Sequence, residues 1–269
     1  TTEIYTGCRS SAASDVYKRQ NLVLDTGAGD CLFDLRFAVS ADVRLGGVER
    51  RHFAGGQSAQ VTHAHLELLQ LGDVGINDLP VQLLDLQATF DAWFPALPIH
   101  GIVGCRVLSL FECVLDYDAR RLVLTPPRST SQAPAGTPLW LAENWLLLTD
   151  AVFPGQSPAL VFLDSGMTGG AFAVPASRAD ALGVLVDSEA VLVGTGGAGR
   201  VPGSRASADV VGIDRLRRHD VDGLQLPSLA IESALGFRIN GLIGHDMLRA
   251  TRLSLDFANQ RLKIDLESG

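Results

Sequence analysis

Short apolar or alternating segments, separated by glycine, proline and aspartate, run through most of the chain. Examples are AHLELLQLG from Ala64, LPVQLLDL from Leu79, FECVLDYDARRLVL from Phe111 and TRLSLDFANQRLKIDL from Thr251. Such runs, about four to eight residues long and bounded by turn residues, predict strands. We therefore predict an all-β protein, with hairpin turns at residues 118–119, 153–157 and 258–259.

Helices are predicted to be few and short. Pro175 precedes ASRADAL and stands where proline favours the first turn of a helix. The segments 105–111 (CRVLSLF) and 245–251 (HDMLRAT) each fit one or two turns.

One pattern occurs twice in the chain. An apolar run ending in Asp25-Thr26-Gly27 is followed by GIVG at 101–104, and an apolar run ending in Asp164-Ser165-Gly166 is followed by GLIG at 241–244. The two aspartates lie 139 residues apart. Seven residues are identical between 101–126 and 241–266 at constant offset: Gly101, Gly104, Leu108, Leu115, Asp116, Arg121 and Leu122. The repeat predicts two homologous lobes.

The first twenty residues are interpreted as non-native. Residues 1–5 and 10–20 (SSAASDVYKRQ) back-translate to sequencing-adapter DNA, and such scars are excluded from fold reasoning. We expect the adapter to replace the true N-terminus and the first strand or strands of the first lobe. The predicted organisation is an adapter segment 1–20, an N-terminal lobe 21–126, a Pro- and Ser-rich linker 127–136 and a C-terminal lobe 137–269.

Composition and charge narrow the range of partners. The net charge is −8 and the arginines are scattered, so nucleic acid is not an expected partner. No stretch has the length and apolar character of a membrane span. Cys31, Cys105 and Cys113 form no CxxC pair and are predicted to be buried thiols. His63 and His65 have no recognisable third ligand, so neither a metal nor a cofactor is predicted.

Asp25 and Asp164 are candidate catalytic residues because they occupy matching positions in the repeat. One isolated Asp-Thr-Gly is typical of a turn after a strand, whereas two matched copies favour a shared site. Two adjacent carboxylates do not both ionise readily, so the pair shares a proton. The ionised member can then activate a water while the protonated member bonds a substrate carbonyl.

These motifs resemble those of the aspartic protease family, both its pepsin-like members and the retroviral-type enzymes with their bacterial relatives. The resemblance rests on the two triads, the two Gly-apolar-apolar-Gly segments and the hairpins after them. It implies a bilobal acid-protease fold made of two retropepsin-like β-barrel lobes with short helices. It also implies a peptide or protein substrate, a monomer built as an intramolecular pseudo-dimer, and a periplasmic or secreted location.

The resemblance also implies roles for the neighbouring residues. Gly27 and Gly166 let the two loops approach closely, and the hydroxyls of Thr26 and Ser165 bond across the lobe interface. The apolar pairs at 102–103 and 242–243 pack behind the aspartate loops as core.

Each lobe carries a glycine pair at the position of a flap. These pairs are Gly55-Gly56 in FAGGQSAQV and Gly196-Gly197 in GTGGAGRV. A hairpin over the cleft would exclude water and hold the substrate backbone, with glycine supplying the tight turn. Ordinary surface hairpins are the alternative interpretation.

Two alternative functions follow from departures in the pattern. Lobe two has a hydroxyl donor, Thr168, two residues after its triad glycine, whereas lobe one has Gly29, so a peptide-binding module with impaired turnover is one alternative. Residues 194–199 (GTGGAG) match the dinucleotide-binding pattern and suggest an NAD-dependent oxidoreductase. Pro202 and Gly203 stand where the helix of such a site should run, which disfavours the second alternative.

Overall fold

Strands make up most of the structure. The computed structural model describes residues 4–9, 18–41, 43–53, 57–128, 135–142, 146–196 and 199–266. Within these ranges no helix exceeds seven residues, so the chain is mostly β, as predicted. No helix in the described part of the chain has the length and apolar character needed to cross a membrane.

The first half contributes the elements up to residue 125. Its strands are β1 (Ile4–Arg9), β2 (Lys18–Leu24), β3 (Leu32–Asp34), β4 (Arg44–His52), β5 (Ser58–Leu71), β6 (Val74–Leu84), β7 (Gly101–Val103), β8 (Glu112–Asp116) and β9 (Arg121–Thr125). Its helices are α1 (Leu35–Ala41), α2 (Gln87–Trp93) and α3 (Cys105–Leu108).

The second half begins at residue 137. Its strands are β10 (Thr137–Ala142), β11 (Leu146–Phe153), β12 (Gln156–Asp164), β13 (Phe172–Pro175), β14 (Leu185–Gly196), β15 (Gly199–Ile213), β16 (Leu216–Leu226), β17 (Gly241–Gly244), β18 (Thr251–Asp256) and β19 (Arg261–Leu266). Its helices are α4 (Ala179–Leu182), α5 (Glu232–Leu235) and α6 (His245–Leu248).

Two sheets organise these strands. The first has the order β1-β2-β7-β3-β6-β5-β4, and an additional β1–β5 pairing closes its strands into a circuit that leaves only β4 outside. The second has the order β14-β15-β16-β13-β17-β12-β11-β10-β19-β18-β8-β9, with an additional β15–β11 pairing. Strands β8 and β9 come from the first half and pair through β18 with the second, so both halves share one sheet.

The strand order itself is duplicated. The closed circuit β1-β2-β7-β3-β6-β5 of the first half corresponds to β11-β12-β17-β13-β16-β15 of the second. In both circuits the strand before the aspartate runs parallel to the Gly-apolar-apolar-Gly strand. The position of β11 is filled in the first half by β1, which lies within the predicted adapter segment.

The core lies behind the aspartate loops. Val103 and Ile243 belong to the main apolar cluster, which contains residues of both halves. Ile102 and Leu242 point to the opposite sheet faces and pack in two smaller clusters, one for each half. All four are buried, which confirms their predicted core role and follows from the two-residue period of strands.

The three hairpin predictions are confirmed, but the predicted start of one helix at Pro175 is wrong. Turns fall at 117–120, 154–155 and 257–260, and α3 and α6 lie where short helices were expected. Pro175, however, ends β13 and pairs in parallel register with Leu226, so α4 begins only at Ala179. Cys31, Cys105 and Cys113 are buried free thiols, as predicted.

Candidate active site

The two aspartate loops leave equivalent strand ends. Asp25 directly follows β2, and its amide donates to the carbonyl of Val103 on β7 at 3.1 Å. Asp164 is the last residue of β12 and lies beside Gly244 of β17 in parallel register. Because adjacent parallel strands end at the same edge of a sheet, each loop projects from its sheet toward the other loop.

The hydroxyls of the two triads lock the loops together. Thr26 Oγ1 donates to the carbonyl of Leu163 at 2.7 Å and accepts from the Ser165 amide at 3.0 Å. In return, Ser165 Oγ accepts from the Thr26 amide at 3.0 Å and donates to the carbonyl of Leu24 at 3.3 Å. Both side chains are buried. The structure thus contains the cross-loop bonds that the resemblance implied.

Glycine follows each hydroxyl because the opposite carboxyl occupies the adjoining space. A Cβ on Gly27 would lie 2.4 Å from Asp164 Cγ, and a Cβ on Gly166 would lie 2.6 Å from Asp25 Cγ. Real Cβ atoms do not approach other atoms this closely. The two carboxyl groups therefore face one another across the glycines.

Backbone amides orient both carboxyls. Asp25 Oδ1 accepts from the amides of Gly27 at 2.8 Å and Gly166 at 3.2 Å. Asp164 Oδ1 accepts from the amides of Gly166 at 3.0 Å and Met167 at 2.9 Å. The Gly166 amide thus contacts both carboxyls and joins them into one unit, which we call the dyad.

Burial and proximity change the acidity of the dyad. Burial raises the pKa of Asp25 above its ordinary value of 3.8, against the opposing effect of the hydrogen bonds that it accepts. Burial, the charge of Asp25 and a hydrogen bond with Asp25 raise the pKa of Asp164 well above 3.8. The dyad therefore retains one proton at pH values where isolated aspartates are ionised, and this proton belongs to the pair rather than to either residue.

A second carboxylate lies beside the first loop and was not predicted as a site residue. Asp30 Oδ2 accepts from Arg51 Nη1 at 2.6 Å and Gln82 Nε2 at 2.8 Å, and its Oδ1 accepts from Arg106 Nε at 2.6 Å. Asp30 is 9% exposed. The three donors lie on separate elements, so no sequence motif connects them to Asp30. The only signal in the sequence is an acid three residues after Gly27.

The two long hairpins at the flap positions meet. Gln57, directly before β5, donates from Nε2 to the carbonyl of Arg200 on β15 at 2.9 Å. Gly196 ends β14 and pairs with Gly199 in the second hairpin. The predicted flap residues Gly55, Gly56 and Gly197 lie outside the described residues.

A cavity adjoins the dyad next to the second triad. Thr168, Tyr117 and His245 line it together with Ser165 and Gly166. The rings of Tyr117 and His245 meet edge to face with centroids 5.3 Å apart. Burial raises the pKa of the tyrosine hydroxyl and lowers the pKa of the histidine. Both rings are therefore uncharged near neutral pH.

The described residues of the glycine-rich motif and the histidine pair singled out in the sequence lie on strands of the flap hairpins. Residues 194–196 end β14 and Gly199 begins β15, so a strand follows the motif where a dinucleotide-binding turn would open a helix. His63 Nε2 lies 3.3 Å from Glu49, and His65 Nδ1 lies 3.2 Å from Asp78.

Thr26 provides a direct test of the cross-loop bonds. Thr26→Val keeps the shape of the side chain but leaves the buried Ser165 amide and Leu163 carbonyl without their partners. We expect it to lower the free energy of unfolding by about 2 to 4 kcal/mol, measured by denaturant titration. Thr26→Ser keeps the hydroxyl and serves as the control. Equal stability of the two variants would contradict the role given to these bonds.

Comparisons with known proteins concern the fold. No family model matches the chain, and no curated protein matches it. Among 340 matching chains of solved structures is the crystal structure of basic 7S globulin from soybean. The similarity has a TM-score of 0.48 and 9% identity, over 99% of this chain and 97% of that chain. A likeness at this level carries no argument about fold or chemistry, so any function depends on the geometry of the dyad.

Proposed function

We propose that the protein is an aspartic endopeptidase of bilobal acid-protease architecture. In this proposal the lobes are two homologous β-barrels, residues 21–126 and 137–269, with the active site between them. The duplicated six-strand circuit supports this division. The pairing of β8 with β18, which connects the halves in one sheet, supports a single-chain pseudo-dimer.

One observation carries the proposal: two half-buried carboxyls from duplicated loops face each other, and the loops are held by reciprocal hydroxyl bonds. A structural role alone gives no reason for this arrangement. Two like charges about 3 Å apart repel by about 5 kcal/mol at an effective dielectric constant near 20. A site that confines both acids stores this repulsion, which a shared proton relieves.

The proposed mechanism uses the two acids in different states. The ionised carboxylate of the dyad takes a proton from a water held between Asp25 and Asp164. The protonated carboxyl of the dyad donates a hydrogen bond to the carbonyl oxygen of the scissile peptide and stabilises the charge that develops there. The attacking oxygen forms a tetrahedral intermediate, and proton transfer to the leaving nitrogen then breaks the C–N bond. The dyad returns to its singly protonated state with no covalent enzyme intermediate.

The alternative of a peptide-binding module without turnover rested on Gly29. In the structure the orientation of Asp25 comes from backbone amides of Gly27 and Gly166, not from a side chain at position 29. Thr168 lines the neighbouring cavity, and Asp164 likewise accepts from amides. This geometry supports a catalytic dyad in spite of the missing hydroxyl in lobe one.

Hydrolysis of a peptide library across a range of pH tests the function. We expect cleavage of internal peptide bonds with a bell-shaped profile. Activity falls on the acid side as the dyad takes up a second proton, and on the alkaline side as it loses the shared proton. Burial moves the alkaline limb above 3.8, the ordinary aspartate pKa. Peptide binding without cleavage at any pH would favour the binding module instead, and loss of cleavage with a chelator would exclude the metal-free mechanism.

A further inference from the structure

The two flaps differ in how they are attached to the rest of the molecule. Flap one is defined as residues 49–53 and 57–61, where β4 and β5 extend beyond the pairing of β5 with β6. Flap two is defined as residues 191–196 and 199–203, where β14 and β15 extend beyond the pairing of β15 with β16. Each is an antiparallel ribbon that projects from its sheet.

Flap one is tied to the first aspartate loop close to its turn. Arg51 pairs with Ala59, one position before the last pair of the hairpin, and its Nη1 lies 2.6 Å from Asp30 Oδ2. Arg106 and Gln82 hold the same carboxylate from α3 and β6. The Arg51 and Asp30 side chains are 23% and 8% exposed, so solvent screens their attraction less than it would on an open surface. Asp30 thereby fixes the end of flap one to the loop that carries Asp25.

Flap two lacks the acid of this attachment, and its only basic residue, Arg200, lies on the inner strand β15. Gly169 stands where the repeat would place the counterpart of Asp30, and the strand β14 (LVDSEAVLVGTG) contains no basic residue. The counterpart of Arg106 is Asp246, which pairs with Arg249 of its own segment at 2.7 Å. Val191 and Val193 of flap two are 70% and 51% exposed. The outer strand of flap two thus carries no cation, and the second aspartate loop has no acid at the position of Asp30.

We propose that Asp30 is a positioning residue that holds flap one as a fixed platform over the dyad, so that the active site opens by movement of flap two. The contact from Gln57 to the Arg200 carbonyl sets the closed position, with the unattached flap resting against the attached one. The inference rests on the proposed function only in taking a peptide as the substrate that enters the site. The difference in mobility is a property of the folded chain with or without turnover.

Hydrogen exchange of the intact protein, followed by mass spectrometry, tests the proposal. In the unsubstituted protein the amides of flap two are expected to exchange about tenfold faster than those of flap one, which corresponds to about 1.4 kcal/mol of local opening. Arg51→Met removes the flap side of the attachment and leaves Asp30 bound by Arg106 and Gln82. This variant is expected to accelerate flap one by about the same factor without changing flap two.

Arg44→Met is the matched control. Arg44 lies on the same strand and pairs with Asp78 at the base of the hairpin, where both side chains are mostly exposed. Its removal is expected to leave exchange in flap one unchanged. The proposal is wrong if Arg51→Met behaves like Arg44→Met, or if flap two of the unsubstituted protein exchanges as slowly as flap one.

A kinetic measurement separates positioning from general destabilisation. If peptides are hydrolysed, Arg51→Met is expected to raise KM more than it lowers kcat, because a loose platform weakens substrate binding without touching the dyad. Asp30→Asn serves as a second variant that keeps the shape of the side chain and removes its charge. A fall in kcat with unchanged KM in both variants would contradict a platform role.

Discussion

Asp25→Asn and Asp164→Asn are each expected to reduce peptide hydrolysis by at least about 10²- to 10⁴-fold, the usual contribution of a general acid or base. The two effects should be similar because either substitution removes one half of a shared-proton pair. Asparagine keeps the size of the side chain but cannot exchange a proton with water. The measurement is kcat/KM for one peptide at the optimum pH of the unsubstituted protein.

Asp150→Asn is the control for these variants. Burial also raises the pKa of Asp150, but no second carboxyl contributes to that shift. We expect this variant to retain full activity. If either dyad variant cleaves as fast as the unsubstituted protein, the shared-water mechanism is wrong.

The thermal stability of the Asp164→Asn variant shows whether it is inactive because it lacks a titratable acid or because it is unfolded. The folded pKa of Asp164 is raised well above 3.8. Above the unfolded pKa the unfolded chain has released this proton while the folded chain still holds it, so stability falls as pH rises toward the folded pKa. The Asp164→Asn variant avoids this loss, because an amide side chain does not titrate in this range. Its Tm at neutral pH should therefore equal or exceed that of the unsubstituted protein, and a lower Tm would assign its inactivity to unfolding.

The repeat made the local parts of the site predictable. Asp116 and Asp256 both accept a hydrogen bond from the amide three residues later, Ala119 at 2.9 Å and Asn259 at 3.0 Å. Each aspartate thus shapes its own turn, and a short-range interaction of this kind can be read from sequence. In the triads each hydroxyl and each glycine contacts the opposite loop. They were still predictable, because the same triad pattern occurs at both repeat positions.

Longer-range features could not be predicted from spacing. Asp30 is buried only because donors from β4, β6 and α3 converge on it, and a sequence pattern does not show which elements converge. The start of α4 was missed for a related reason. Pairing with β16 holds Pro175 in a strand, so tertiary contact overrides the preference of proline for a first helical turn.

The two halves match at the dyad but differ in the residues around it. Duplicated residues preserve the chemistry at the centre, where both halves must match to bring the carboxyls together. Away from the centre the halves have diverged, as the replacement of Asp30 by Gly169 and of Arg106 by Asp246 at repeat positions shows. A symmetric catalytic centre can therefore be served by flaps that behave differently.

Gly27→Ala and Gly166→Ala are expected to lower kcat/KM by about 100-fold each, the scale associated with displacing a catalytic group by about 1 Å. The added Cβ would lie 2.4 Å from Asp164 Cγ or 2.6 Å from Asp25 Cγ, well inside the about 3.5 Å of a normal carbon contact. The cause is steric, since neither glycine has the positive φ that disfavours other residues. Overpacking should also lower the free energy of unfolding by about 1 to 3 kcal/mol.

Gly47→Ala is the matched control, because a Cβ at that position of β4 meets no atom within 4 Å. It should leave both kcat/KM and stability unchanged. The pH profile adds a measurement that simple destabilisation would not move. Separating the carboxyls weakens their mutual effect, so the alkaline limb of Gly27→Ala should shift toward the ordinary aspartate range. Full activity with an unshifted profile would mean that the close approach of the two loops is not what sets the chemistry of the dyad.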